Sequence, residues 1–241
     1  MQHFLYRRSS WVFIVFSVLA LIAFWPGYFG RLSNVPNYRL HLHGIGMTLW
    51  CVLLIAQATL IRRNRFQLHS QLGKLSFLLV PFIIVSTVNL IHFQLARVQQ
   101  VNQLHMYVVA LIINALVAFM IIYGLGMYFR KERMVHGKYM LATIFPLFTP
   151  VTDRLIYQFM PGLVPLAPRI GNAPIVPFFG FLLADVLILG LIIWDWRANK
   201  SSKVFPFVLI VLLIYHYSVL NFYQFDFWKS FTQWFISMPF S

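Results

Sequence analysis

The chain alternates long apolar segments with short polar connections. Seven segments are long enough to cross a membrane as helices, because a helical span needs about 20 apolar residues. Their approximate ranges are 10–29, 39–61, 73–95, 105–129, 138–160, 174–196 and 204–224. The pattern predicts an all-α integral membrane protein, a single membrane domain over residues 1–241 with seven transmembrane helices.

One arrangement of histidines and helices occurs twice along this pattern. Residues 39–95 place His43 at the start of an apolar segment, then a basic loop, then His69 before the next apolar segment; residues 105–160 repeat this order with His105 and His136. The repetition predicts a tandem two-helix repeat that forms the core bundle. In such a repeat His43 is equivalent to His105, and His69 to His136.

Composition and charge support the membrane assignment. The chain is 60% hydrophobic and 10% charged, which leaves too little polar surface for a soluble domain. Arginine and lysine concentrate around residues 62–74, 130–138 and 197–203, which predicts a cytoplasmic N-terminus and an outside C-terminus by the positive-inside rule. The net charge of +14 therefore indicates topology and contact with anionic lipids, not nucleic-acid binding. We expect a bacterial inner membrane protein. The single cysteine, Cys51, excludes an intramolecular disulfide.

Three charged residues lie well inside predicted spans, away from the ends. Asp153 and Arg154 lie in the fifth segment, which also contains Pro146 and Pro150, and Asp185 lies in the sixth. Charged residues at membrane depth usually face the bundle interior and pair with each other. Adjacent side chains diverge on a helix, so we predict an ion pair between Arg154 and Asp185. A proton-handling role for Asp185 is the alternative.

The C-terminal residues 225–241 are rich in aromatic side chains. Trp228, Phe231, Trp234 or Phe235, and Met238 recur at helical intervals. This pattern predicts a short amphipathic helix on the outer surface, or a docking surface for a partner.

The predicted depths divide the histidines into two layers. The outer layer contains His41, His43, His92 and His105, and the inner layer contains His69 and His136. Paired histidines on facing membrane helices are suited to axial ligation of haem iron. Two such layers would provide a route for electrons across the membrane.

The chain resembles a known family at these positions. The H-x-x-x-M pattern at His43, Gln57 at the end of the same segment, and L-H-S-Q-L-G at 68–73 are similar to cytochrome b561-like di-haem membrane proteins. The whole chain also resembles uncharacterised bacterial seven-helix membrane proteins with an L-H-x-x-L-G pattern. The first resemblance covers helices two to five. It implies b-type haem held by His43 and His105 in one layer and by His69 and His136 in the other, with a quinone or another electron-transfer partner.

Two other hypotheses use the same residues differently. His43, His105, Asp153 and His216 could converge around a divalent metal such as zinc, as in seven-helix membrane hydrolases, although the H-x-x-x-H pair of those enzymes is absent. Alternatively, the protein has no chemistry of its own and is an accessory or assembly subunit of a larger membrane complex. For His69 and His136 the alternative to haem ligation is that they cap helices and meet lipid phosphates with Arg65 and Arg133.

Overall fold

A computed structural model describes residues 8–35, 37–96, 98, 100–198 and 203–239. Within these residues the protein is almost entirely helical. The α-helices are α1 Ser9–Phe24, α2 Tyr38–Arg62, α3 Phe66–Gly73, α4 Ser76–Leu95, α5 Gln103–Tyr128, α6 Arg133–Ala142, α7 Phe148–Phe159, α8 Pro177–Arg197, α9 Val204–Asn221 and α10 Asp226–Ser237. Two short strands, β1 Arg169–Ile170 and β2 Ala173–Pro174, form an antiparallel hairpin.

The described residues include six helical segments long and apolar enough to cross a membrane. They are Ser9–Asn34, Tyr38–Arg62, Phe66–Leu95, Gln103–Tyr128, Pro177–Arg197 and Val204–Gln224. The prediction of an all-α, multi-pass membrane protein is confirmed at this level.

The fifth predicted span is not one continuous helix. Helix α6 ends at Ala142, a 3₁₀ turn covers Phe145–Leu147, and α7 begins at Phe148. Pro146 lies in the turn and Pro150 in the first turn of α7, so both prolines occupy positions where a missing backbone N–H is tolerated. The break thus divides this segment into two short helices, neither of which is membrane length by itself.

The chain divides into two compact units, an N-terminal unit that ends at Gln94 and a C-terminal unit that begins at Leu95. In the N-terminal unit, α2 packs against α1 and forms an antiparallel hairpin with α3 and α4. Gly46 permits close approach, because a Cβ atom there would lie 3.1 Å from Phe82 Cε1 and 3.2 Å from Ile83 Cγ1.

In the C-terminal unit, α9 lies between α5 and α8 and contributes to its core. Fully buried apolar side chains from these helices include Val109, Ile122, Ile188, Val208 and Leu212. Asn114 Nδ2 of α5 donates to Ser218 Oγ of α9 at 2.8 Å, and Tyr215 of α9 donates to the Leu111 carbonyl at 3.3 Å. These two hydrogen bonds hold α9 against α5.

Helix α10 packs on the beginning of α5. The Trp228 indole donates to the Met106 carbonyl at 2.9 Å, and Thr232 and Phe235 are buried on the same face. Phe227 and Trp234 are exposed on the other side. The aromatic C-terminal segment therefore has one face on the bundle and one face with apolar side chains exposed.

Replacement of Gly180 by valine is expected to destabilise the C-terminal unit by about 1–3 kcal/mol, the usual cost of overpacking. A Cβ atom at Gly180 would overlap Thr152 Oγ1 and lie 3.1 Å from the Thr149 backbone, where α7 meets α8. Gly190→Val on the same helix is the matched control, since a Cβ atom there meets nothing within 4 Å. Thermal unfolding in detergent would compare them, and equal losses in both variants would contradict this packing.

Candidate functional site

Thr87 of α4 fixes the tautomer of His43 in α2. The Thr87 hydroxyl donates its hydrogen to the Ile83 carbonyl at 2.7 Å, and Thr87 Oγ1 lies 3.0 Å from His43 Nδ1. Because that hydroxyl has only one hydrogen, His43 Nδ1–H is the donor to Thr87. The lone pair of the neutral imidazole is then on Nε2, which is the tautomer suited to ligation through that nitrogen.

The same interface contains other polar contacts between α2 and α4. Arg39 Nε donates to Asn89 Oδ1 at 2.6 Å, and the guanidinium lies 4.4 Å from the Phe93 ring centroid. His43 lies about one helical turn after Arg39 in α2, and Gly46 lies nearly one turn after His43. The N-terminal unit therefore has a polar stripe, defined here as Arg39, His43, Thr87 and Asn89. The close contact between α2 and α4 at Gly46 follows it along α2.

His41 has a structural role near this stripe. Its Nε2–H donates to the Val35 carbonyl at 3.1 Å, and its Nδ1 lies 3.4 Å from the Tyr28 hydroxyl. The Tyr28 ring lies over Gly44, where any Cβ atom would collide with it. His41 thus ties the connection between α1 and α2 to the start of α2, and sequence spacing alone does not separate this role from that of His43.

In the C-terminal unit, His136 has the same tautomer as His43. His136 Nδ1 lies 2.7 Å from the carbonyl oxygen of Gly126 in α5. A carbonyl oxygen only accepts, so Nδ1 carries the hydrogen and Nε2 carries the lone pair. A side chain at position 126 would overlap Met140, so Gly126 is the residue that lets α5 and α6 approach.

His69 and His136 occupy equivalent places in their helices. His69 is the fourth residue of α3 and His136 is the fourth residue of α6. Their backbone N–H groups donate to the Arg65 and Glu132 carbonyls at 3.0 and 2.9 Å. Each histidine therefore lies in the first turns of a regular helix, directly after a basic loop.

His105 does not fit the ligand role predicted from its position. It closes a capping box at the start of α5: its backbone N–H donates to Asn102 Oδ1 at 3.0 Å, and its Nδ1 accepts from the Asn102 backbone N–H at 3.2 Å. In the neutral ring the hydrogen is then on Nε2, opposite to His43 and His136. His43 is also deeper in its helix, the sixth residue of α2, whereas His105 is the third of α5.

Asn102→Ala is expected to cost about 1 kcal/mol of stability, because it removes the side-chain acceptor of this cap. His105→Gln should cost much less, since glutamine at the third helical position also completes a capping box. Helix content and unfolding of the two variants in detergent would measure the difference. A larger loss in His105→Gln would show that the imidazole has a role beyond the cap.

The charged residues of the C-terminal unit pair differently from the prediction. Asp185 Oδ2 of α8 lies 3.2 Å from His216 Nδ1 of α9, and Arg154 contacts Asp153 Oδ1 at 3.3 Å and the Pro150 carbonyl at 2.8 Å. In the described part of the chain, Asp185 is therefore bound to His216 instead of Arg154. Arg154 instead folds back along its own helix towards Asp153 and Pro150, and its side chain is 44% exposed.

A buried ion pair between α6 and α8 was not predicted. Lys138 Nζ of α6 lies 2.5 Å from Asp195 Oδ2 of α8, and both side chains are only 3% exposed. Lys138 Nζ is also 5.7 Å from the Phe205 ring centroid of α9. In the sequence, Lys138 is one of several basic residues around a loop, so nothing marks it as buried. The residue that could have indicated a buried ion pair is Asp195, an acidic residue between two tryptophans at the end of a span.

The residues of the predicted metal site do not form such a site. Among the described residues, no three His, Cys, Asp or Glu side chains are grouped closely enough to hold a metal ion. His216 is bound to Asp185, His105 is a helix cap and Asp153 is beside Arg154. Each of these side chains has a local partner that explains its position.

No protein-family model matches the chain, and neither a curated protein nor a solved structure shows significant similarity to it. A functional assignment for this chain therefore depends on its sequence pattern and on the geometry described above.

Proposed function

We propose that this membrane protein binds b-type haem and transfers electrons within or across the membrane. The observation that carries the proposal is the orientation of His136, whose Nδ1–H donates to the Gly126 carbonyl at 2.7 Å. Histidines that bind metals commonly donate their other ring N–H to a carbonyl or carboxylate, which fixes the tautomer and makes the ligating nitrogen more basic. His43 has the same tautomer, and the resemblance to cytochrome b561-like proteins points to the same residues.

The four predicted ligands do not support the proposal equally. His136 and His43 fit axial ligation by tautomer, and His69 is retained because its place in α3 matches that of His136 in α6. His105 is left out because its Nδ1 accepts a backbone hydrogen bond.

In this proposal each part of the chain has a physical task. The haem, when bound, supplies the one-electron chemistry. Gly126 and Thr87 orient the imidazoles, and the apolar helices keep water from the iron ligands and so affect the redox potential. A quinone or another redox protein would be the electron-transfer partner.

We also propose seven membrane crossings, with α6, the 3₁₀ turn and α7 together forming the fifth. Lys138 of α6 contacts Asp195 at one end of α8, and Thr149 and Thr152 of α7 lie beside Gly180 near its other end. Asp195 and Gly180 are fifteen residues apart, or roughly 22 Å along a helix, so the broken segment runs along most of α8. With seven crossings the basic loops share the cytoplasmic side, which is consistent with a bacterial inner membrane protein.

Absorbance spectroscopy of the detergent-purified protein, first oxidised and then reduced with dithionite, tests the function. We expect a Soret band and sharp α-bands on reduction, with about one iron per chain if only the haem of His136 is bound and about two if His43 also binds haem. A colourless protein, purified from cells with ample haem and without iron, would refute the proposal. It would favour the accessory-subunit hypothesis.

A further inference from the structure

Asp185 and His216 form an isolated polar contact in the interior of the C-terminal unit. Asp185 Oδ2 and His216 Nδ1 are 3.2 Å apart, and their side chains are 19% and 7% exposed. The His216 ring stacks on Phe181 with centroids 4.3 Å apart. The two residues lie roughly 12 Å and 18 Å along α8 and α9 from the first residues of these helices, well inside membrane-length segments.

The second oxygen of the Asp185 carboxyl group, Oδ1, has no contact like the one between Oδ2 and His216. Asp185 Oδ1 is buried and has no hydrogen-bond partner among the described residues. An ionised carboxylate beside a neutral imidazole would place a net negative charge in apolar surroundings, which is costly. One added proton makes the couple neutral overall, whether it is Asp⁻ with His⁺ or protonated Asp with neutral His.

The titratable groups on the helices around this couple include tyrosines and members of ion pairs. Tyr215 is adjacent to His216, with ring centroids 5.1 Å apart, and hydrogen-bonds to Thr149 of α7. Tyr107 of α5 and Asp153 of α7 interact electrostatically with Tyr215 or with each other. Asp153 lies against Arg154, and Lys138 is bound to Asp195, so their charges are largely compensated.

We propose that Asp185 and His216 form a proton-binding site inside the membrane. The site takes up one proton and holds it in the hydrogen bond between Oδ2 and Nδ1. Uptake changes the couple from a net charge of minus one to zero, and release leaves the carboxylate ionised. The step involves no electron and no co-reactant, so it stands independently of the haem proposal.

Isotope-edited infrared difference spectroscopy between neutral and alkaline buffer tests this inference. The sequence contains four aspartates, Asp153, Asp185, Asp195 and Asp226, so carbon-13 labelling of aspartate carboxyl groups gives few signals. We expect one pH-dependent carboxyl signal that disappears in Asp185→Asn. In wild type, imidazole signals from nitrogen-15 histidine should change over the same pH interval, and His216→Gln should shift the Asp185 signal in frequency.

Asp226→Asn is the matched control, because Asp226 is an exposed aspartate in the first turn of α10. It should leave the pH-dependent signal of Asp185 unchanged. If Asp185→Asn does not fold, labelled wild type, Asp226→Asn and His216→Gln still decide the question. An Asp185 signal that is unchanged by His216→Gln, or no pH-dependent signal beyond those of the other aspartates, would overturn the inference. A colourless protein that shows the coupled signals would refute the haem proposal alone.

Discussion

Asp195→Asn is expected to lower the free energy of unfolding by about 3–5 kcal/mol, the cost of removing one member of a buried ion pair. The Lys138 ammonium would lose its carboxylate partner at 2.5 Å while it stays 97% shielded from solvent. Its contact with the Phe205 ring cannot compensate for that loss, because a cation–π interaction contributes about 2 kcal/mol when desolvated. Unfolding of the purified protein in detergent, followed by circular dichroism, would measure the change.

The exposed pair in the same unit provides the control for this prediction. Arg154→Met should change stability by no more than about 1 kcal/mol, because the Arg154 side chain is 44% exposed. A double variant, Lys138→Met with Asp195→Leu, should recover most of the stability lost in Asp195→Asn, since it buries no unpaired charge. If Asp195→Asn and Arg154→Met were equally mild, the Lys138 pair would not be desolvated as the structure indicates.

The sequence was sufficient for the six long apolar helical segments among the described residues, but not for the break in the fifth predicted span or for the partners of the charged side chains. Long apolar segments are sufficient to locate membrane helices, because every backbone polar group in lipid must be satisfied within the segment. The partner of Asp185 depends on how α7, α8 and α9 are rotated about their axes. A single sequence, with Pro146 in the turn before α7 and Pro150 in the first turn of α7, contains no reliable record of that rotation.

For the candidate site, too, the sequence predicts the helical positions of the histidines but not their hydrogen-bond partners. Helical spacing predicts that His41 and His43, two residues apart, point in different directions, and their side chains do have different partners, but it does not say which of the two is structural. It could not show that His105 accepts the Asn102 backbone N–H, because the same residue at the start of a helix can serve as a cap or as a ligand. The Gly126 carbonyl beside His136 was also beyond prediction, since a backbone acceptor has no signature in the sequence.

The variants His136→Ala and His105→Gln are expected to differ in haem content, with a loss in the first and none in the second. His136→Ala removes the imidazole that donates to Gly126, so it should abolish the inner haem and its reduced α-band. His105→Gln preserves the capping box and should retain the iron content and spectrum of wild type. Haem per chain and the reduced-minus-oxidised spectrum of each purified variant are the measurements.

Thr87 supplies a third variant that tests the tautomer argument itself. Thr87→Val is nearly the same size but removes the oxygen that accepts from His43 Nδ1, so a haem held by His43 should be bound about 10- to 100-fold more weakly. The inner haem should be unaffected, because His136 is oriented by a backbone carbonyl in the other unit. Loss of haem in His105→Gln with full retention in His136→Ala would reverse the assignment. It would show that His105 holds haem although its Nδ1 accepts the Asn102 backbone N–H, and that His136 does not.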